Sequence, residues 1–151
     1  MNGRPVVAGE AEGEILRARS PISLWGGVDP NTGSIIDRRH DRCGESIVGR
    51  VFVFPSEKGS STGSAVLLEL IRNGRPPAAV ITHEPAPIVA LGSIVADELY
   101  GRSVPVLVVA DADAAGLVDG LRVRIAPDGT IEYIDPVDGS AAGLGTDPSA
   151  V

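Results

Sequence analysis

The stretch IVGRVFVFPSEKGSSTGSAVLLELIRNG, residues 47–74, holds the strongest structural pattern in the chain. A continuous apolar run closes on Val51 to Phe54, a segment rich in hydroxyls and glycine follows from Lys58 to Ser64, and Val66, Leu67, Leu70 and Ile71 then recur on one helix face before Gly74. Unbroken valine and phenylalanine mark a strand buried on both faces, and glycine after a helical pattern is a usual C-terminal stop. The stretch therefore predicts strand, loop and helix in succession, with the helix over Ser64 to Asn73. Working outward, Ala78–Thr82 and Val104–Val109 are further short apolar strands. Pro87–Leu99 is a second helix, with Ile88, Leu91, Val95 and Leu99 at helical spacing. Strands alternating with helices imply parallel crossovers, right-handed in nearly all proteins. The carboxyl ends after Phe54, Thr82 and Val109 are then expected along one sheet edge, where open α/β sheets bind ligands.

The flanks read differently. Val6 to Arg19 is expected to give one or two short strands, interrupted at Gly9 and Gly13, as a barrel-type or sandwich-type hairpin. Trp25 to Gly33 is so dense in Gly, Asp, Pro and Asn that a shaped loop is predicted, followed by a brief strand over Ser34 to Asp37. Leu121–Ala126 and Thr130–Ile134 flank Pro127, Asp128 and Gly129, a hairpin signal. The expected class is α/β: a short parallel sheet with helices, plus a hairpin or barrel-like layer. One domain is expected over residues 1–138, with a flexible tail over 139–151 that has almost nothing to bury.

A chain of 151 residues at 43% hydrophobic but only 3% aromatic must build its core from Val, Ile, Leu and Ala. The formal charge is −7 and no basic run exceeds Arg38 and Arg39, so the footprint of a nucleic-acid binder is missing. No apolar run reaches the length of a membrane span and the N-terminus carries no apolar signal core, so a cytoplasmic protein without a membrane partner is expected. One cysteine, Cys43, and two histidines are too few for a self-contained zinc site.

Lys58 is the only lysine, and it opens the Lys58–Ser64 loop. A nucleotide phosphate loop needs its lysine after the glycines, immediately before Ser or Thr, whereas here it precedes them. Two readings remain. Ser60, Ser61 and Thr62 cap the helix, as Ser and Thr often do; or one serine is activated by oriented N–H groups, a helix N-terminus and Lys58. His40 and Cys43, three apart, read as ligands to a metal shared with another chain or as a surface turn with a half-buried cysteine. Arg38, Arg39 and Arg42 suit a carboxylate or phosphate, or form a solvated face. Asp29 orients a ligand or partner, or shapes its turn. His83 and Glu84 follow the second parallel strand on the expected ligand edge.

The ordered set GEAEGE, PISLWGGVDPNTGSIID, GESIVGRVFVFP, KGSSTGS, APIVALGSIVADELYG and VPVLVV resembles the small swivelling domain or subunit of aconitase X, a hydro-lyase branch of the aconitase superfamily, over about Gly9 to Val109. The resemblance implies a swivelling β/β/α domain that closes over a larger aconitase X subunit, which carries most of the site for a small hydroxy acid. It implies that the iron or iron–sulfur centre belongs to that subunit, with no metal bound by this chain alone. It further implies Ser60 as the proton-accepting base, with Lys58, Gly59, Ser61 and Thr62 supporting its alkoxide. Asp29, Arg38, His40 and His83 are carried as substrate or interface residues, and Trp25 as an interface anchor or a core residue. Thr62 stands where aconitase has an arginine, so that contact does not carry over. Two substrates are associated with the family, cis-3-hydroxy-L-proline and (R)-5-phosphomevalonate. The scarcity of lysine beside abundant Arg, Ala and Gly fits a GC-rich bacterial genome and favours the first. The rival class is a stand-alone binding or regulatory module that keeps the fold without catalysis.

Overall fold

A computed structural model describes residues 1–134 of the chain, so the expected tail over 139–151 lies outside the described residues. Strands β1 (Arg4–Val7), β2 (Ala11–Arg17), β3 (Val51–Phe54), β4 (Ala79–Thr82), β5 (Val106–Val108), β6 (Arg122–Ile125) and β7 (Ile131–Tyr133) form one mixed sheet. Their order is β1-β5-β4-β3-β2-β6-β7. Helices α1 (Gly63–Arg72) and α2 (Pro87–Tyr100) are the crossovers between β3, β4 and β5, which run parallel.

Register explains why the central strands are apolar throughout. Leu16, Phe52, Val80 and Val106 lie in one row across β2, β3, β4 and β5 and pack toward the helices with Leu67, Leu70 and Val89. The alternate residues Val51, Val53, Ile81 and Leu107 pack on the opposite side with Val123, Ile125 and Ile131 of the β6–β7 ribbon. The result is a β/β/α arrangement whose parallel layer is covered on both faces. Each fully buried Phe or Leu there contributes about 1.5–3 kcal/mol relative to exposure.

The sheet curls until its edges meet. Gly3 N–H donates to the Gly129 carbonyl at 2.8 Å, Ile131 N–H to the Met1 carbonyl at 2.7 Å, and Asn2 bridges Thr130. Gly129 has φ +92°, and a Cβ there would fall on the Gly3 carbonyl oxygen, so the expected Pro127–Gly129 turn also makes the seam of the curl. Among the described residues no helix is long and apolar enough to cross a membrane.

Three expectations change. Val6–Arg19 is not a hairpin: β1 pairs antiparallel with β5, while β2 pairs with β6 through residues 11–14 and runs parallel to β3 through residues 15–17. Ser34–Asp37 contributes isolated bridges, Val28 to Ile35 and Ser34 to Ser46, in place of a strand. Helix α1 buries Val66, Leu67, Leu70 and Ile71 as expected, but α2 buries its small residues, Val89, Ala90, Gly92, Ser93 and Ala96, and leaves Leu91, Ile94 and Leu99 exposed. Close approach decides that face, because the Gly92 Cα lies where a Cβ would come within 2.7 Å of the Ser64 carbonyl oxygen. Buried Ser93 is satisfied, donating to the Val104 carbonyl at 2.6 Å and accepting the Val104 N–H at 2.8 Å.

Candidate active site at the carboxyl edge of the parallel strands

The Lys58–Ser64 loop leaves the carboxyl end of β3 and is tied down at both ends. Lys58 N–H donates to the Ile22 carbonyl at 3.0 Å, and the Ser23 hydroxyl donates to the Gly59 carbonyl at 3.1 Å. At the far end the Ser64 hydroxyl donates to the Ile88 carbonyl at 2.6 Å. Just before the loop, the Glu57 carboxylate accepts the N–H groups of Ile88 and Val89 at 2.9 and 3.1 Å. Helix α2 begins with Pro87 after Ala86, which has no side-chain oxygen to cap it. Glu57 supplies that cap from outside the helix, with its charge at the favourable end of the dipole.

Glu57→Ala is therefore expected to lower unfolding free energy by about 1 kcal/mol, the usual cost of a lost cap, with Glu57→Gln between it and wild type. Urea unfolding of the chain measures both; an unmoved midpoint in Glu57→Ala would remove Glu57 from this role.

Between the anchors, Ser60, Ser61 and Thr62 are exposed. Ser60 has φ +83° and is the only non-glycine residue with positive φ among the described residues. Its carbonyl accepts the Gly63 N–H at 3.1 Å and the Thr62 carbonyl the Ala65 N–H at 3.0 Å, so the chain is already turning into α1. Thr62, at the cap position, is itself helical and makes no side-chain cap bond. The hydroxyls thus do not cap α1. Among the described residues, the N–H groups of Ser61 and Thr62 have no acceptor and Lys58 joins no ion pair. The loop thus presents exposed hydroxyls, two backbone N–H groups without an acceptor among the described residues and Lys58 at the start of a ten-residue helix, the positive end of its dipole.

A cleft of about 490 Å³ opens on the same edge, lined by Arg17, Arg19, Pro55, His83, Glu84 and Asp111, at the ends of β2, β3, β4 and β5. His83 Nδ1 lies 2.9 Å from the Val109 carbonyl, which can only accept, so Nδ1 carries the hydrogen. Its Nε2 stands 3.9 Å from Asp111. Arg17 belongs to the inner row of Val53 and Ile81, and its guanidinium donates to the carbonyls of Ala114 and Leu117 at 2.7 and 2.9 Å, closing the end of the curl.

Asp29, Arg38 and His40 do not line that cleft. Asp29 accepts the Asn31 N–H at 2.8 Å and shapes its turn. Arg38 is exposed. His40 is buried with both ring nitrogens engaged: Nδ1 accepts the Arg42 N–H at 3.0 Å and Nε2 donates to the Ser20 carbonyl at 3.2 Å. Next to it, burial of Asp41 opposes its charge, but the N–H groups of Arg19 and Ser20 outweigh burial and hold the carboxyl below the usual aspartate range. Trp25 is 59% exposed, so core packing does not account for it. Glu57, Ser23 and Ser64 were not singled out from sequence; the uncapped Ala86–Pro87 helix start was the available signal for the first.

The described residues do not by themselves fit an iron centre. No group of three or more His, Cys, Asp or Glu among them is placed to hold a metal, Cys43 is exposed and single, and His40 has no free nitrogen.

Residues 1–133 match the family model described as the aconitase X swivel domain. The chain is 53% identical over 103 residues to the cis-3-hydroxy-L-proline dehydratase of Pseudomonas aeruginosa, covering 68% of this chain but 18% of that one. It is 43% identical over 136 residues to the phosphomevalonate dehydratase small subunit of Thermococcus gammatolerans, covering 89% of this chain and 98% of that one. The crystal structure of aconitase X from Thermococcus kodakaraensis, in its holo-form, superposes with a TM-score of 0.79 at 39% identity, over 89% of this chain and 97% of that one. The chain thus spans about a fifth of the first relative and nearly all of the second.

Proposed function

The chain belongs to the aconitase X swivel-domain family, and from that membership we propose that it is the small subunit of a two-chain hydro-lyase in which Ser60 accepts the proton. The observation that carries this reading is the backbone of Ser60, exposed and at positive φ in a loop anchored on both sides of it. Strain held in place by its surroundings clusters at functional sites.

The substrate class is a small hydroxy acid, with cis-3-hydroxy-L-proline first. Ser60 Oγ, as alkoxide, takes the proton from C2; the C–H electron pair becomes the C2–C3 double bond as the C3–O bond breaks, giving pyrroline-2-carboxylate, and the departing hydroxide takes up a proton to become water, balanced by the proton Ser60 then releases to return to alkoxide. Each pKa unit by which the site favours alkoxide takes about 1.4 kcal/mol. The N–H groups of Ser61 and Thr62, the start of α1 and Lys58 supply it, most effectively once a second chain excludes water. We assign the iron or iron–sulfur centre to the larger chain, because one exposed cysteine gives no ligand set here.

The 53% identity to a hydroxyproline dehydratase favours that substrate. The near-complete coverage of phosphomevalonate dehydratase small subunits, 98% and 92% of their length, supports (R)-5-phosphomevalonate as the second reading. The test is an anaerobic purification of the tagged chain from its host, with both compounds then assayed. Co-purification of a larger chain with formation of pyrroline-2-carboxylate is expected. Turnover of phosphomevalonate alone would establish the second reading; recovery of the chain alone, inactive on both, would make it a non-catalytic module.

A further inference from the structure

We infer that Trp25 and Ile36 form the apolar anchor by which this chain docks onto the larger chain of the enzyme, on the surface that borders Ser60. The inference rests on the catalytic reading above and adds to it the surface used.

Trp25 is the only tryptophan, and 59% of it is exposed on a Gly-rich turn, Leu24–Gly27, whose backbone leaves helical geometry at Trp25 and Gly26. That turn is built onto the Ser60 loop. Ile22 and Ser23, just before it, hold Lys58 and Gly59 by hydrogen bonds, and Leu24 lies against Gly63, within 3.6 Å of where a Gly63 Cβ would stand. The buried neighbour Leu24 fixes the turn while Trp25 is turned outward. Ile36, 48% exposed, is joined to the same turn through its N–H, which donates to the Gly27 carbonyl at 2.8 Å. Two large apolar side chains are therefore left about half exposed on backbone that is hydrogen-bonded to the Ser60 loop.

The occupant follows from the reach of the reaction. A substrate held by the larger chain must bring its C–H to hydrogen-bonding distance of Ser60 Oγ. The protein surface around that substrate then covers what surrounds Ser60, and Trp25 is on the turn hydrogen-bonded to that loop. Interface hot spots are enriched in tryptophan, with tyrosine and arginine, and sit in well-packed, desolvated pockets. The exposed face of α2 is also apolar, with Leu91, Ile94 and Leu99 53%, 49% and 61% exposed, but no hydrogen bond joins those residues to the Lys58–Ser64 loop among the described residues, as Ile22 and Ser23 join the Trp25 turn to it.

The test uses the co-purified two-chain enzyme and its separately produced chains. Trp25→Ala is expected to weaken assembly about 30-fold or more, the equivalent of a hot spot of about 2 kcal/mol, with the thermal unfolding of the isolated chain unchanged and kcat restored at saturating small subunit. Trp25→Phe should recover part of the affinity. Ser60→Ala should assemble like wild type, so a failure of Ser60 to affect turnover speaks against the proton acceptor and not against the docking surface. Wild-type affinity in Trp25→Ala, or loss of assembly in Leu99→Lys with Trp25→Ala unaffected, would overturn the inference.

Discussion

In the assembled enzyme, Ser60→Ala is expected to lower kcat by about 10²–10⁴-fold, the contribution of a positioned proton acceptor, with little change in KM. Ser60→Gly should lose the same turnover and yet resist urea better than wild type. A non-glycine residue in a sparsely populated backbone region costs about 1–3 kcal/mol, and Ser60 sits at φ +83°. Glycine relieves that cost but loses about 0.5–1 kcal/mol through the greater freedom of the unfolded chain, which leaves a net gain of about 1 kcal/mol. The hydroxyl offsets nothing, because it makes no hydrogen bond among the described residues. Opposite signs in stability and activity are what a strained catalytic residue produces, and a helix cap would lose stability on the same change. Unchanged kcat in Ser60→Ala, with both chains assembled, would end the assignment.

The parts of this fold that were legible in the sequence are those with local causes. Val51–Phe54 and Ala79–Thr82 read as strands because both faces of the parallel layer are buried, so no polar residue interrupts them. The Pro127–Gly129 turn read correctly because its backbone needs φ above zero at Gly129. The pairing of β1 with β5 was not legible: strands so far apart in sequence leave no mark on each other, and Gly9 between β1 and β2 looked like a hairpin turn. For α2, periodicity identified a helix but not which face is inside. Leu91 and Leu99 satisfy the same spacing as a buried stripe, and only the closeness of α1 shows that the small face is used. At the site, Lys58 through Ser64 was legible because glycine and hydroxyl residues crowd together after a strand. Asp29 and His40 drew attention as chemical groups, and the structure engages them with backbone instead: Asp29 with the Asn31 N–H, His40 with the Arg42 N–H and the Ser20 carbonyl.

Gly92 joins the fold to the chemistry, and Gly92→Val is expected to damage both. Replacing glycine inside a helix usually gains up to about 1 kcal/mol, so an ordinary helical position would be stabilised or little changed. Here the new Cβ would lie 2.7 Å from the Ser64 carbonyl oxygen and 3.2 Å from Leu67 Cβ. A backbone oxygen cannot rotate away, so α1 and α2 must separate, at a cost of about 1–3 kcal/mol for overpacking. That separation pulls on the contacts that hold the loop: Ser64 to the Ile88 carbonyl, and Glu57 to the N–H groups of Ile88 and Val89. A displacement of about 1 Å at Ser60 is enough for a 10²-fold loss of rate. Urea unfolding of the chain and kcat of the assembled enzyme at a temperature where the variant stays folded measure the two effects. A midpoint at or above wild type would show that the helices can part freely. Lost stability with full kcat would show that the loop keeps its geometry independently of the helix pair, and the strain at Ser60 would then have to be held by the Ile22–Lys58 and Ser23–Gly59 bonds alone.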